Sequence, residues 1–145
     1  MLEIVREKIK KNHLTLEDVM SECVVMVSQE YSLKSVAHLM LRDRISGVPI
    51  VGDGKKLVGI ITITDLFRII SEVLDDKCDS SQYSSDDGIK IKYVMTKDVV
   101  TVDKATPLEQ VVEIMCRDNI HTLPILENGR IAGIVGRHDI LNAVF

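Results

Sequence analysis

The sequence predicts an α/β fold made from one unit used twice. Three observations predict it. An internal repeat runs collinearly through most of the chain. The apolar content is 46% of residues but only 3% is aromatic and there is no Trp, so Val, Ile, Leu and Met must build the core. Finally, the apolar runs alternate between the spacing of a strand and that of a helix.

The repeat organises the chain. Residues from Val19 align with residues from Val94 at an offset of 75, VMSECVVMV answering VMTKDVVTV. LKSVAHLMLRDRISGVPIV then answers LEQVVEIMCRDNIHTLPIL. One residue is absent from the second copy after the turn, and GIITITDLF answers GIVGRHDIL at an offset of 74. Seventeen positions are identical between Val19–Asp65 and Val94–Asp139, in the same order, which chance does not produce.

Each copy reads as strand, helix, strand, turn, strand, helix. The β-branched runs Val24–Val27 and Val99–Val102 open the copies. In copy one a helix starts at Ser32, with Leu33, Val36, Leu39 and Met40 on one face. In copy two Thr106 stands at the expected N-cap, Pro107 at the first helical position and Glu109 three residues after the cap, a capping-box pattern. Leu108, Val111, Val112 and Met115 follow at helical spacing, and Cys116 falls within the same apolar pattern and is expected in the core. The apolar strands Val48–Val51 and Leu123–Leu126 come next. Gly-Asp-Gly turns the first copy and Asn128-Gly129 the second, residues that tolerate positive φ. The third strands are Leu57–Ile61 and Ile131–Val135, and the last helices begin near Thr64 and His138.

These signals divide the chain into an N-terminal amphipathic helix (1–15), repeat one (16–74), a linker (75–90) and repeat two (91–145). Leu2, Val5 and Ile9 form the apolar stripe of the first segment, which is expected to pack on the module or on a second copy. The linker carries five Asp and one Lys among Ser and Gly over 75–88 and reads as a solvated, mobile connection.

Composition narrows the function. A formal net charge of −4 is unhelpful for binding nucleic-acid phosphates, and the Arg6, Lys8, Lys10, Lys11 cluster reads as a solvated helix face. No apolar run reaches the roughly 18 residues of a membrane span, and the charged N-terminus has no signal-peptide core. Cys23, Cys78 and Cys116 are odd in number and unpaired in spacing, which suits free thiols in a reducing cytoplasm and suggests neither a disulfide framework nor a zinc site. His13, His38, His121 and His138 show no metal-ligand spacing, and no nucleophile or phosphate-loop motif of an enzyme is present. No catalytic residue, metal or cofactor is expected.

The sharpest chemical motif is Gly59-Ile60-Ile61-Thr62-Ile63-Thr64-Asp65, a strand running into a helix N-terminus. That terminus offers unpaired N–H groups and a positive dipole end to an anion such as phosphate. Thr62 can add a hydroxyl donor, Asp65 can accept from the two hydroxyls of a ribose, and Gly59 permits close backbone approach. The plain alternative is structural: Thr62 or Thr64 as an N-cap and Asp65 as a complement to the helix dipole. Copy two has Gly133-Ile134-Val135-Gly136-Arg137-His138-Asp139. Asp139 keeps the ribose role, Gly136 lacks the hydroxyl, and Arg137 or His138 can serve as phosphate partners. The second site is therefore expected to be the weaker.

Both copies resemble the CBS domain, named after cystathionine β-synthase. The resemblance rests on the Val-Met start, the helix ending in Arg-Asp, Val48-Pro49-Ile50-Val51 and Leu123-Pro124-Ile125-Leu126, and the Gly-to-Asp junction, in that order and twice over. It implies a pseudo-symmetric Bateman-type module whose two clefts bind adenine nucleotides or related adenosyl compounds, and which commonly dimerises and regulates an attached or partner protein. It also implies that each cleft draws on both repeats. The Asp65 cleft would include Asp98, Val99, His121, Thr122 and Leu123, and the Asp139 cleft would include Cys23, Val24, Ser46, Gly47 and Val48. Core packing is the plain alternative for Val24, Val48, Val99 and Leu123, and a hydrogen-bonded structural role for His121. Within a doubled pattern, the ligand reading of the junctions is preferred to the structural one.

The expectation is a non-enzymatic sensor of an adenosine-containing ligand, AMP, ADP, ATP or a related adenosyl compound. It would form a homodimer and regulate an unidentified protein, with no nucleic-acid or membrane partner. No partner domain is read in the sequence, so the chain is either free-standing or an excised piece. The alternative is a ligand-free interaction or oligomerisation module, which the hydroxyl missing at Gly136 would favour.

Overall fold

The computed structural model describes residues 1–11, 13–75 and 88–145, so most of the acidic linker and Cys78 lie outside the described residues. The fold is mixed α/β with two three-stranded sheets. The chain forms two compact units: Val25–Val99 is one, and Met1–Val24 with Val100–Phe145 is the other. Each unit takes its sheet from one repeat and a lead-in segment from the other.

In the Val25–Val99 unit, β1 (Val27–Ser28) runs parallel to β2 (Gly47–Val51), and β2 is antiparallel to β3 (Leu57–Thr62). The helix α3 (Leu33–Asp43) joins β1 to β2, and α4 (Ile63–Leu74) follows β3. Ser32 caps α3 by accepting the Ser35 N–H at 3.1 Å, where the sequence places the helix start. Val36 and Met40 of α3 pack with Val27, Val48, Ile50, Ile61, Ile69 and Ile91 in one core. Ile91 belongs to the lead-in of repeat two. Its segment is stitched alongside residues 29–33, with Leu33 N–H donating to Ile89 O and Ile91 N–H to Tyr31 O, each at 2.7 Å. Lys90 and Lys92 pair with Glu30 at 2.6 and 2.9 Å, and their hydrogen bonds hold the Glu30 carboxyl down at about 2.

The other unit repeats this plan. Here β4 (Val102–Asp103) runs parallel to β5 (Thr122–Glu127), which is antiparallel to β6 (Arg130–Gly136), with α5 (Leu108–Arg117) and α6 (Arg137–Val144) as the two helices. Asn128 and Gly129 turn the hairpin with φ of 53° and 77°, the left-handed pair that their side chains permit. The chain's first residues also belong here. They form α1 (Leu2–Val5), a π-helical stretch Arg6–Lys10, and α2 (Leu16–Val19), which Thr15 and Asp18 close with a capping box. Leu16, Val19 and Ile9 are buried in the same core as Leu123, Ile125 and Val135. Lys8 Nζ donates to the Ala143 and Val144 carbonyls at 3.1 Å each, placing a cation at the C-terminus of α6.

Four local readings need correction. The Val24–Val27 and Val99–Val102 runs become strands only at Val27 and Val102. Tight turns intervene, in which Val24 N–H donates to Glu22 O and Val99 N–H to Lys97 O at 3.0 Å, so these amides are not offered to a ladder. Thr106 does not cap α5: Pro107 is extended at ψ 139°, the helix starts at Leu108, and no side chain caps it. Cys116 is exposed, because it follows Met115 and turns away from the face that buries Leu108, Val111 and Met115. On the N-terminal stripe Ile9 is buried but Leu2 is exposed, since the helix pitch changes after Val5.

Candidate functional site

Each unit brings a strand-to-helix junction against the lead-in of the other repeat. In the Val25–Val99 unit, Thr62 N–H and Ile60 N–H lie on β3 beside the incoming Val94–Thr96 segment. Ile60 and Thr96 exchange two backbone hydrogen bonds at 2.9 Å. This pairing requires Gly59, since a Cβ there would stand 2.4 Å from Met95 Sδ and 3.0 Å from Thr96 O. The close approach that Gly59 permits is thus used by the protein's own chain. Gly133 does the same in the other unit, where a Cβ would meet Met20 Sδ and Ser21 O at 2.9 Å each. There Ser21 and Ile134 exchange the corresponding bonds at 2.8 and 3.0 Å.

Thr62 is the N-cap of α4 and forms a full capping box with Asp65. Thr62 Oγ1 accepts the Asp65 N–H at 3.2 Å, while Asp65 Oδ2 accepts the Thr62 N–H at 2.9 Å and the Thr62 hydroxyl at 3.0 Å. Asp65 Oδ1 accepts the Thr96 hydroxyl at 3.0 Å and faces Arg68 at 3.6 Å. With only 9% of its surface exposed, Asp65 is a buried carboxylate tied into the local structure. The capping role therefore falls on the same two side chains that the sequence offers for a ligand. Thr64 is exposed, and its hydroxyl makes no hydrogen bond to the described residues. Ser46 and Gly47 sit beside the junction: Ser46 O accepts the Ile63 N–H at 3.0 Å, and Gly47 pairs with Thr62. Asp98 is exposed and Val99 half-buried in the same unit.

The second junction is simpler. Gly136 N–H donates to Asp139 Oδ2 at 2.7 Å, and Gly136 has no hydroxyl to complete the box. Asp139 is half-buried, His138 exposed. His121 O accepts the Arg137 N–H at 3.0 Å, and Thr122 pairs with Gly136. Cys23 is exposed and Val24 half-buried in this unit. The Arg137 side chain has a use that sequence spacing did not reveal. Its Nε donates to Ile120 O at 3.1 Å and its Nη2 to Met115 O at 2.9 Å, so it binds the carbonyl end of α5. His138 is the more accessible cation-forming group at this junction.

The structure thus gathers Gly59, Thr62, Thr64, Asp65, Asp98 and Val99 in one unit with Ser46, Gly47 and Val48. It gathers Gly136, Arg137, His138, Asp139 and Val24 in the other with His121, Thr122 and Leu123. Val48 and Leu123 are fully buried, so their side chains serve the cores of their own units. Two residues that spacing alone missed are Thr96 and Arg68. Arg68 lies three residues after Asp65 on α4, a signal that was available. Thr96 could be found only from the tertiary pairing.

Comparison with known proteins agrees with the repeated architecture. The CBS domain family model matches residues 16–72 and 91–145. The uncharacterized protein MJ1225 of Methanocaldococcus jannaschii is 31% identical over 93% of this chain and 48% of its own length. A homoserine O-acetyltransferase of Methanococcus vannielii is 29% identical over 89% of this chain and 24% of its own. The chain therefore spans about half or less of these relatives' length. Among solved structures, the CBS domain pair of protein MJ0100, in complex with 5′-methylthioadenosine and S-adenosyl-L-methionine, is 26% identical. It covers 90% of this chain and 98% of its own, with a TM-score of 0.72. The CBS-domain protein ATU1752 of Agrobacterium tumefaciens shares the fold at a TM-score of 0.76 and 24% identity over 91% of this chain and all of its own. With the family unit matched in both copies, and each copy carrying its Asp at the third position of the helix after β3 or β6, this chain belongs to the CBS-domain family.

Proposed function

We propose that the chain is a regulatory module that binds an adenosine-containing small molecule at its strand-to-helix junctions. The observation that carries this is the carboxylate held at the third helical position of each junction, Asp65 on α4 and Asp139 on α6. A carboxylate so placed can accept from the hydroxyls of a ribose, while the adjoining helix N-terminus favours a negative group. The likeness to a domain pair whose structure holds two adenosyl compounds supports the same ligand class. Thr64 and His138 are the exposed polar groups beside the two carboxylates and are assigned to the ligand's charged end. The module is non-catalytic, and the exposed thiols of Cys23 and Cys116 suit the cytoplasm. Binding would act on a regulated protein by favouring one arrangement of the module over another, which requires different affinity for the two.

The test is thermal stability in the presence of AMP, ADP, ATP, S-adenosylmethionine and 5′-methylthioadenosine. At a concentration about 100 times the dissociation constant, a ligand that binds only the folded chain adds about 2.7 kcal/mol. For a chain of this length that raises the melting temperature by roughly 5–10 °C. If none of the five compounds moves the melting curve at millimolar concentration, the alternative of a ligand-free interaction module takes its place.

Self-association as a homodimer belongs to the same proposal. On α4 the side chains of Phe67, Ile70, Val73 and Leu74 are exposed, Phe67 at 71% and Leu74 at 78%. So large an apolar face is unusual on a monomer. Sedimentation equilibrium is expected to give twice the 16.2 kDa chain mass, and a monomer at tens of micromolar would remove this part of the proposal.

A further inference from the structure

The two carboxylates differ in how much of their hydrogen-bonding capacity the protein already uses. An ionised carboxylate accepts about four hydrogen bonds. Asp65 receives three, from Thr62 N–H, Thr62 Oγ1 and Thr96 Oγ1, and has the Arg68 guanidinium at 3.6 Å beside its Oδ1. A ribose diol brings two donors, and one of the present donors must give way to admit both. Among the described residues Asp139 receives one, from Gly136 N–H. The positions that answer Thr62, Thr96 and Arg68 in the other copy are Gly136, which has no side chain, and Ser21 and Asn142, neither of whose side chains bonds Asp139.

The donors on Asp65 are not equally easy to displace. Thr62 N–H is backbone, and the Thr62 hydroxyl both donates to Asp65 and accepts from its N–H. Arg68 is held elsewhere, by Glu72 at 3.0 Å and Val94 O at 3.2 Å. Thr96 is different. Its backbone is fixed to Ile60 by two bonds, while its hydroxyl has Asp65 as its only partner among the described residues and can rotate away.

We propose that Thr96 is a positioning residue that latches Asp65, so that a ribose-bearing ligand must displace the Thr96 hydroxyl to use this junction, and that the unlatched Asp139 junction is the tighter of the two. The proposal rests on the ligand class of the preceding subsection. It reverses the ranking that the presence of Thr62 and the loss of a hydroxyl at Gly136 suggest from sequence.

The experiment is calorimetric titration of the full chain with AMP, a probe that carries both a ribose diol and a phosphate. Asp139→Asn is expected to abolish the tighter binding event and leave a weaker one. In that background Thr96→Val, which keeps the shape but not the hydroxyl, is expected to tighten the remaining event about tenfold. That is the equivalent of one hydrogen bond to a charged group at ~1.4 kcal/mol. Thr96→Ser restores the hydroxyl and is expected to return the weaker affinity. Melting curves separate this from a structural effect, because Thr96→Val should lower stability while raising affinity. Unchanged or weaker AMP binding in Thr96→Val overturns the latch, and so does a tighter event that survives Asp139→Asn. A wild-type chain that gives no heat with AMP or with S-adenosylmethionine instead removes the ligand reading itself, and the latch with it.

Discussion

Leu16→Ala and Ile91→Ala are each expected to destabilise the chain by about 2–5 kcal/mol, and to do so in opposite units. The two residues answer each other at the repeat offset of 75. Leu16 is 1% exposed and packs in the core that contains β5 and β6, the strands of repeat two. Ile91 is fully buried in the core that contains β2 and β3, the strands of repeat one. Removing most of a large apolar side chain from such a site costs the transfer free energy of its lost atoms and the cavity they leave. Against the 5–15 kcal/mol that holds a typical domain folded, either change is large. Amide hydrogen exchange locates the effect, because units open with their own free energies. Ile91→Ala should lower protection in β2 and β3, and Leu16→Ala in β5 and β6. The opposite assignment, with Ile91→Ala loosening the strands of its own repeat, would show that the lead-ins are not exchanged between units. Equal loss of protection in both sheets would show that they open as one.

This exchange marks the limit of what the sequence made legible. The repeat, the order of elements and both junctions could be read because they rest on local periodicity and on turn residues with steep conformational preferences. Ser32, Asn128 and Gly129 behave as their chemistry dictates. Asp65 and Asp139 could be located because a helix N-terminus has a sequence signature. The destination of Leu16 and Ile91 could not. A short apolar turn signals burial, but it does not say which of two similar sheets will bury it. The β-branched pairs before Val27 and Val102 failed as strands for a related reason: strand propensity is realised only where a neighbour supplies a ladder. Cys116 failed because its apolar neighbours recur on a face it narrowly misses. The difference between the two carboxylates was also hidden. It depends on Thr96, which lies 31 positions from Asp65 and reaches it only through the exchanged lead-in. Thr62 alone suggested that the first junction binds better, whereas the buried network makes it the more fully occupied of the two.

The glycines that admit those lead-ins provide the second large effect. Gly59→Ala and Gly133→Ala are each expected to cost about 1–3 kcal/mol, the usual range for atoms forced into a packed interior. Neither glycine is needed for a left-handed backbone, since both lie in strands, so the cost comes from space alone. The obstacles differ. At Gly59 the nearest atoms to an added methyl are Met95 Sδ at 2.4 Å and Cγ at 2.8 Å, the movable part of a flexible side chain, with Thr96 O at 3.0 Å behind them. At Gly133 the backbone oxygen of Ser21 is as near as Met20 Sδ, both at 2.9 Å. Each oxygen accepts a bond that holds its lead-in, Thr96 O from the Ile60 N–H at 2.9 Å and Ser21 O from the Ile134 N–H at 3.0 Å, so neither retreats without loosening that bond. Shortening the methionine should therefore help one case more than the other. In urea denaturation, the Gly59→Ala and Met95→Ala pair is expected to couple favourably by about 0.5–2 kcal/mol, as touching residues do. The Gly133→Ala and Met20→Ala pair should couple less, because Met20 crowds its glycine less, with Sδ at 2.9 Å and Cγ at 3.4 Å, so shortening it relieves less of the clash. Coupling of equal size in both pairs would mean that the closer approach of Met95 does not set the cost at Gly59, and that the two lead-ins yield alike.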